Sequence, residues 1–177
     1  MTSSSEVTSL TFGDISEDGE PNSTIDFVSQ RLPDQEFSKL SAGYLNSNTH
    51  SGKFVLSTDI TGGSDILEMN KAEGTIQVSF DSIKNSEADQ SFSNSYFAHQ
   101  KEGTLTINGY RGQVSARGST QAWQIAYLTL DQANDLHAGL LDPVQNPVNQ
   151  SDGNEGYWYL VRPSEQSETV TPEITDN

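Results

Sequence analysis

Apolar and polar residues alternate with a period of two over much of this chain, and that alternation favours β-strands over helices. The clearest case is Thr75–Phe80, where Ile76, Val78 and Phe80 fall on one face and the residues between them are polar. Successive side chains of a strand point to opposite faces of a sheet. The segment therefore predicts a sheet with one buried face and one solvated face.

Segments of this kind recur along the middle of the chain, separated by polar turns rather than by helices. They cover residues 24–29, 53–57, 65–69, 75–80, 103–107, 110–117, 121–130 and 157–162. Strands that follow one another through short turns favour antiparallel pairing. We therefore predict an all-β fold, mainly an antiparallel sandwich or barrel of about eight or nine strands, with one short helix near residues 131–141.

The turn residues give two more specific predictions. Asn108-Gly109 follows the alternating segment Gly103–Ile107, and Asn-Gly supplies the two positive-φ residues of a type I′ hairpin turn. The hairpin partner would be Tyr110–Arg117. Gly74 ends a second polar stretch, residues 70–74, and is predicted to adopt a left-handed conformation in a loop between two strands.

One segment has the pattern of a helix. In Asp131–Leu141, Leu136, Leu140 and Leu141 form an apolar stripe, and Asp131 is a suitable N-cap. Asp142-Pro143 would end the helix, because proline cannot continue it.

The acidic residues are concentrated at the two ends of the chain. The net charge is −16, of which residues 1–36 carry −7 and residues 164–177 carry −4. The ends are also rich in Ser and Thr, a composition that buries little apolar surface. We predict an acidic N-terminal arm over residues 1–23, a single β domain over residues 24–163 and an acidic C-terminal tail over residues 164–177. Val7, Leu10 and Phe12 could add an edge strand to the domain.

Composition excludes several classes of function. There is no cysteine, which removes disulfides, thiol nucleophiles and cysteine zinc sites. The nine Lys and Arg residues are scattered, so nucleic-acid binding is not expected. No apolar run is long enough to cross a membrane as a helix, and no signal peptide precedes the chain as written. With these features we expect an extracytoplasmic or virion location.

No catalytic motif is present, so an enzyme is the less favoured class. The three histidines, His50, His99 and His137, lie outside any nucleophile or metal-binding motif, and we assign them surface or core roles. Asp26, Asp65 and Glu68 are acids on predicted strands and are the candidates for the pair of carboxylates that glycoside hydrolysis needs. Asp65 and Glu68 would point to opposite faces, which weakens that pair. No catalytic residue is predicted.

Two groups of residues remain as candidate binding sites. Residues 151–156 place the oxygen ligands of Asp152, Asn154 and Glu155 beside two glycines, and calcium is the cation that such a turn would hold. Our first expectation is that the protein has no cofactor, and calcium is the alternative. Aromatic side chains on strands form the second candidate, either as a sugar-stacking platform or as a protein contact surface. That set contains Tyr110, Trp123, Tyr157, Trp158 and Tyr159.

Three hypotheses about function follow. The first is a non-enzymatic structural or interaction protein of a virion or cell surface, which would bind a protein partner or assemble with itself. The second is a carbohydrate-binding module of an extracytoplasmic protein. The third is a small β-barrel enzyme or ligand carrier whose lumen is lined by Phe80, Trp123, Tyr127 and Tyr159.

Overall fold

A computed structural model describes residues 3–13, 23–29, 31, 36–112, 114, 123–141 and 146–162. Within these residues the chain is all-β with one short helix, which confirms the predicted class. The described part contains seven strands and one α-helix: β1 (Ser3–Thr11), β2 (Ser23–Asp26), β3 (Ser38–Asp59), β4 (Ile66–Lys84), β5 (Ala98–Gly109), β6 (Gln124–Thr129), α1 (Leu130–His137) and β7 (Gly156–Val161).

The strands form one sheet in the order β1-β3-β4-β5-β7-β6, and β2 pairs with β3 beside β1. The first five strands all pair in parallel. The mainly antiparallel pairing that the sequence predicted holds only for β7, which runs antiparallel to β5 and to β6. Among the described residues no helix lies between the parallel strands, so the chain returns from one strand to the next by another route.

That route is a coil, and β3 shows how it closes. Its 22 residues would span about 70 Å if straight. Instead, the carboxylate of Asp65 accepts hydrogen bonds from the amides of Ser38 (2.8 Å) and Ser57 (2.7 Å), which lie near opposite ends of the strand. Asp65 is fully buried and also forms an ion pair with Arg31. The strand therefore bends round on itself, and β4 begins the next turn on top of it.

Successive turns stack in register, so equivalent residues form columns through the molecule. Leu45 lies beside Ala72 and Ala72 beside Gly103, while Phe54 lies beside Val78. The side chains of Leu45, Ala72, Phe54 and Val78 point into the coil and are buried there. The main core is thus the inside of a short parallel β-solenoid, a geometry in which each turn contacts only its neighbours.

The predicted turn residues occupy corners of the coil. Gly74 has φ +99°, as predicted, but it lies inside the continuous strand β4, where it bends over Ser47 of the turn below. The Asn108-Gly109 hairpin prediction is wrong. Both residues belong to β5 and pair in parallel with Gln77 and Val78, neither has a positive φ, and Tyr110–Gly112 forms a 3-10 turn. Residues 113 and 115–117 of the proposed partner strand lie outside the described part.

The C-terminal strands and the helix cover the last turn of the coil. Trp158 and Leu160 of β7 point into the main core, and Tyr159 and Val161 point to the other face, where they pack with Ala133 of α1. The helix begins one residue earlier than predicted, because Thr129 and not Asp131 is its N-cap and forms a capping box with Gln132. It also ends at His137, four residues before the predicted end. Leu136 and Leu141 pack under the helix, but Leu140 is 73% exposed.

The N-terminal end of the sheet begins before the predicted domain boundary. Residues 3–11 form β1, so the first part of the predicted arm is a strand of the sheet, consistent with the edge strand that Val7, Leu10 and Phe12 suggested. Phe12 is buried and packs edge-on against Phe54 at a centroid distance of 5.7 Å. Residues 14–22 and the predicted tail, residues 164–177, lie outside the described part.

Candidate functional site

A row of side chains crosses the outer face of the sheet, one from each of five strands. The strand register places Glu6, Ser41, Glu68, His99 and Tyr157 side by side on β1, β3, β4, β5 and β7. Neighbouring strands of a sheet lie about 4.8 Å apart. The parallel coil therefore brings together residues that are far apart in the sequence.

His99 lies between two carboxylates. Its Nδ1 is 2.5 Å from Glu68 Oε1 and its Nε2 is 2.8 Å from Glu155 Oε2. A carboxylate is a hydrogen-bond acceptor only, so each ring nitrogen must donate. Both nitrogens donate only in the charged imidazolium, and the geometry therefore favours the protonated form.

The electrostatics of this cluster agree with its geometry. Burial alone would disfavour a charge on His99, but its hydrogen bonds to Glu68 and Glu155 outweigh burial and raise the pKa of the imidazole above its ordinary value. Burial likewise opposes ionisation of Glu68, but His99, Tyr96 and the nearby Lys39 lower the pKa of its carboxyl. Glu68 is thus held as a carboxylate.

Two tyrosines enclose the cluster on its helix side. The ring of Tyr157 stacks on His99 at 4.4 Å with an angle of 19° between the planes. Tyr96 donates its hydroxyl to Glu68 Oε2 at 3.1 Å. Burial, together with the negative charge of Glu68, raises the pKa of Tyr96, so its hydroxyl keeps its proton. Both oxygens of Glu68 are therefore fixed in position.

On its other side, Glu68 faces a groove of about 390 Å³ that runs over β1, β3, β4 and β5. The groove is open to solvent and its rim is formed by exposed ends of long side chains. Its lining residues are Glu6, Val7, Lys39, Ser41, Ala42, Gly43, Glu68, Met69, Asn70 and Lys101.

Charges of both signs alternate with neutral polar groups in this groove. Glu6 and Glu68 supply carboxylates, Lys39 and Lys101 supply ammonium groups, and the hydroxyl of Ser41 lies between. The equal numbers of acids and bases make the groove nearly neutral, although the whole chain carries −16. Such a surface can both donate and accept hydrogen bonds along its length.

The structure divides the predicted aromatic set. The rings of Trp123, Trp158 and Tyr159 are at most 3% exposed, because they fill the cores on the two faces of the sheet. They have no free ring face on which a ligand could stack. Tyr157 is half-buried and belongs to the cluster around His99. For Tyr157 and Tyr110 ligand binding stays a prediction.

Tyr110 and Tyr157 lie at opposite ends of β5. Tyr110 follows β5, whereas Tyr157 pairs with His99 at the beginning of that strand. The ring of Tyr110 is covered by the ammonium group of Lys53, which lies 3.7 Å from the ring centroid. The structure therefore does not bring the predicted aromatic residues together into one platform.

The predicted calcium ligands have other partners. Asp152 Oδ1 accepts hydrogen bonds from the Tyr127 hydroxyl (3.0 Å) and the Asn154 amide (3.1 Å), while Glu155 binds His99. In the part of the chain that the structure describes, no group of three or more His, Asp and Glu side chains is arranged to hold a metal ion. Calcium at Asp152, Asn154 and Glu155 stays a prediction.

The residues expected to line a lumen do not share one. Phe80, Trp123 and Tyr127 pack in the main core, whereas Tyr159 packs on the opposite face of the sheet under α1. A strand separates the two groups, so they cannot enclose a common cavity.

Sequence reasoning missed the partnership of Glu68 and His99. The alternation compares Glu68 only with Asp65, which the structure places inside the coil. His99 was assigned a surface or core role, and its two carboxylate partners come from residues 31 and 56 positions away. Only the register of the coil reveals them, since no local motif joins these residues. The side chain of His50 lies outside the described part, and His137 binds the Tyr159 hydroxyl.

With this geometry in hand, we compared the chain with known proteins. No family model matches it, and neither the curated proteins nor the solved structures contain a match. Among the described residues, no helix is long and apolar enough to cross a membrane.

Proposed function

We propose that this protein is a non-enzymatic binding protein whose outer groove recognises a carbohydrate. The observation that supports the proposal is the groove over β1, β3, β4 and β5, in which carboxylates, ammonium groups and neutral polar groups alternate. Each sugar hydroxyl both donates and accepts a hydrogen bond. A surface with alternating acceptors and donors therefore matches a row of hydroxyls.

Glu68 is the acceptor in the groove whose orientation is fixed by its neighbours. His99 and Tyr96 each occupy one of its oxygens and hold the carboxylate in one orientation. Each oxygen keeps a further lone pair for a ligand hydroxyl. A group that is already fixed loses little entropy on binding, which favours affinity.

The same features favour binding over hydrolysis. A glycosidase needs one carboxyl with a raised pKa as its general acid. The pKa of Glu68 is lowered, because its hydrogen bonds stabilise the ionised form. Glu68 is therefore suited to accept hydrogen bonds from a sugar and not to protonate a leaving group.

The groove also disfavours other polymers. A nucleic acid would need several basic contacts to its phosphates, and two acids offset the two lysines here. A neutral oligosaccharide meets no such repulsion. Val7, which is 40% exposed at the edge of the groove, offers an apolar contact to one face of a sugar ring.

The test is binding of neutral and acidic oligosaccharides on a glycan array, followed by calorimetry on those that bind. Asn70→Ala and Lys101→Ala should each weaken binding by about 1 kcal/mol, or roughly fivefold, because each removes one hydrogen-bonding group. Lys84→Ala is the matched control, since Lys84 is exposed and does not line the groove.

Two results would contradict the proposal. The first is the absence of binding to any oligosaccharide, and the second is an equal loss of affinity in the Lys84 and Lys101 variants. Release of reducing ends from a bound glycan would show instead that the groove is catalytic.

A further inference from the structure

The strand at the beginning of the sheet has an open edge. Among the described residues, β1 has a strand neighbour on one side only, β3. Residues 4–9 are exposed. An edge strand presents unpaired amide and carbonyl groups, and proteins usually protect such edges with lysine, proline or a bulge. The sequence of β1, SSSEVTSLT, contains no lysine and no proline, and Glu6 is its only charged residue.

The chain covers the last turn of the coil in a way that contrasts with β1. Residues 149–153 lie along β5 and bond to its free edge, with Ser151 N 3.0 Å from Leu105 O and Ile107 N 3.1 Å from Asn149 O. Phe97 N also donates to Trp158 O at 2.9 Å. A whole segment thus covers one end of the coil, whereas no segment among the described residues covers β1 at the other end.

Apolar side chains accompany the open edge. Val7 is 40% exposed, and Leu10, Ile25 and Phe27 are only partly buried against the main core. All four belong to the first turn or directly follow it. A partner that continues the sheet beyond β1 would bury more of the Val7 side chain and would pair with the edge backbone groups at the same time.

We propose that β1 pairs antiparallel with β1 of a second copy of the chain, about a two-fold axis at Val7. In this register Val7 faces Val7 of the second copy, Ser5 faces Ser9, and Glu6 faces Thr8. No like charges lie opposite each other, whereas a pairing that placed Glu6 opposite Glu6 would be destabilised. The strand is therefore complementary to itself, as a two-fold interface requires.

The pairing has a consequence for the groove. It continues the sheet in its own plane, so the outer faces of the two copies join and their grooves lie on either side of the axis. The dimer does not depend on sugar binding. Lys101→Ala should therefore leave the dimer intact while it lowers the affinity for the oligosaccharide. Failure of one proposal therefore leaves the other open to its own test.

A single-cysteine variant tests the register directly. The chain contains no cysteine, so Val7→Cys carries one thiol per copy. Residues opposite each other in an antiparallel pair have Cα atoms about 4.5–5.5 Å apart, within the range that a disulfide spans. Under mild oxidation, Val7→Cys should form a covalent dimer about tenfold faster than Val148→Cys, because pairing holds its thiols at a high effective concentration. Val148 is 60% exposed and distant from β1 in the fold, which makes it the matched control.

The mass in solution gives the second readout. Light scattering should show a concentration-dependent shift from 19.3 kDa towards twice that mass, since one strand pair is a small interface. Salt should increase the dimer fraction, because the charge of −16 on each copy opposes association. Val7→Lys should abolish the shift while the circular dichroism spectrum stays unchanged. A monomer at every protein and salt concentration, or equal cross-linking of the two cysteine variants, would overturn the proposal.

Discussion

His99 shows how one residue couples protonation to the stability of the fold. Its imidazolium binds Glu68 of β4 and Glu155 of the segment that precedes β7, so it connects the coil to its C-terminal cover. The pKa of His99 is raised and that of Glu68 is lowered. Stability from the histidine is complete below its ordinary pKa of 6.5 and is lost as the pH rises through the raised value. Stability from Glu68 is complete above 4.5 and is lost as the pH falls through the lowered value.

We therefore expect His99→Phe to be most destabilising between pH 4.5 and pH 6.5, where both His99 and Glu68 are charged. The aromatic ring keeps the stacking on Tyr157, but the two carboxylates lose their donor. The free energy of unfolding should fall by about 1–3 kcal/mol near pH 5.5, and the difference from the wild type should shrink towards pH 9. Urea unfolding at several pH values measures it. A difference that grows with pH would contradict the assignment.

The same cluster gives a prediction that does not depend on stability. Glu155→Gln removes one of the two carboxylates that raise the pKa of His99. The pKa measured by NMR for the His99 ring should therefore fall relative to the wild type. An unchanged His99 value would show that Glu155 does not hold this proton.

At the scale of the strands, the corners of the coil depend on close contact between turns. Gly103 has φ +109°, and a Cβ atom at this position would lie 2.0 Å from the carbonyl oxygen of Ala72. Gly112 also has a positive φ, +76°, but a Cβ atom there would meet no atom within 4 Å. Substitution of Gly112 therefore introduces backbone strain alone, whereas substitution of Gly103 introduces both backbone strain and crowding between stacked turns.

We expect Gly112→Ala to reduce the free energy of unfolding by about 1–2 kcal/mol, the cost of a left-handed alanine. Gly103→Ala should cost about 1–3 kcal/mol more, because the turns must also move apart. Chemical denaturation of the two variants measures the difference. Equal costs would mean that the stacking of β4 and β5 is looser than the structure shows.

Over the whole molecule, closure of the coil depends on Asp65. This buried carboxylate binds both ends of β3 and the guanidinium of Arg31, so it joins segments before, within and after the second turn. Without it, the amides of Ser38 and Ser57 would lose their acceptor and Arg31 would lose its charged partner in a buried site.

Asp65→Ala should therefore lower the free energy of unfolding by about 3–5 kcal/mol, the usual cost of breaking a buried ion pair. Asp81→Ala, which changes an exposed aspartate of β4, should change it by less than about 0.5 kcal/mol. Thermal and urea unfolding monitored by circular dichroism measure both. Similar behaviour of the two variants would mean that the coil closes without Asp65.

The candidate site shows where sequence reasoning stops. Period-two alternation predicted that Glu68 lies on the face opposite Asp65, and the structure has them so. The sequence did not predict that Glu68 would meet His99, because that meeting depends on how many residues each turn of the coil contains. Likewise, alternation places Trp158 and Tyr159 on opposite faces of β7, but only the tertiary structure shows that Trp158 is buried in the main core and Tyr159 in the second core under α1.

Local chemistry was enough to determine the class of the fold and much of its detail. Alternation commits the chain to strands, and the capping box of Thr129 and Gln132 begins the one α-helix of the described residues. Strand direction was decided only in three dimensions. A glycine at a bend permits a hairpin or a corner equally well, and Gly74 became a corner because stacking over Ser47 continues a buried column. Pairing between turns depends on long-range packing, which no local pattern contains. The groove, the protonated histidine and the open edge of β1 all arise from that packing.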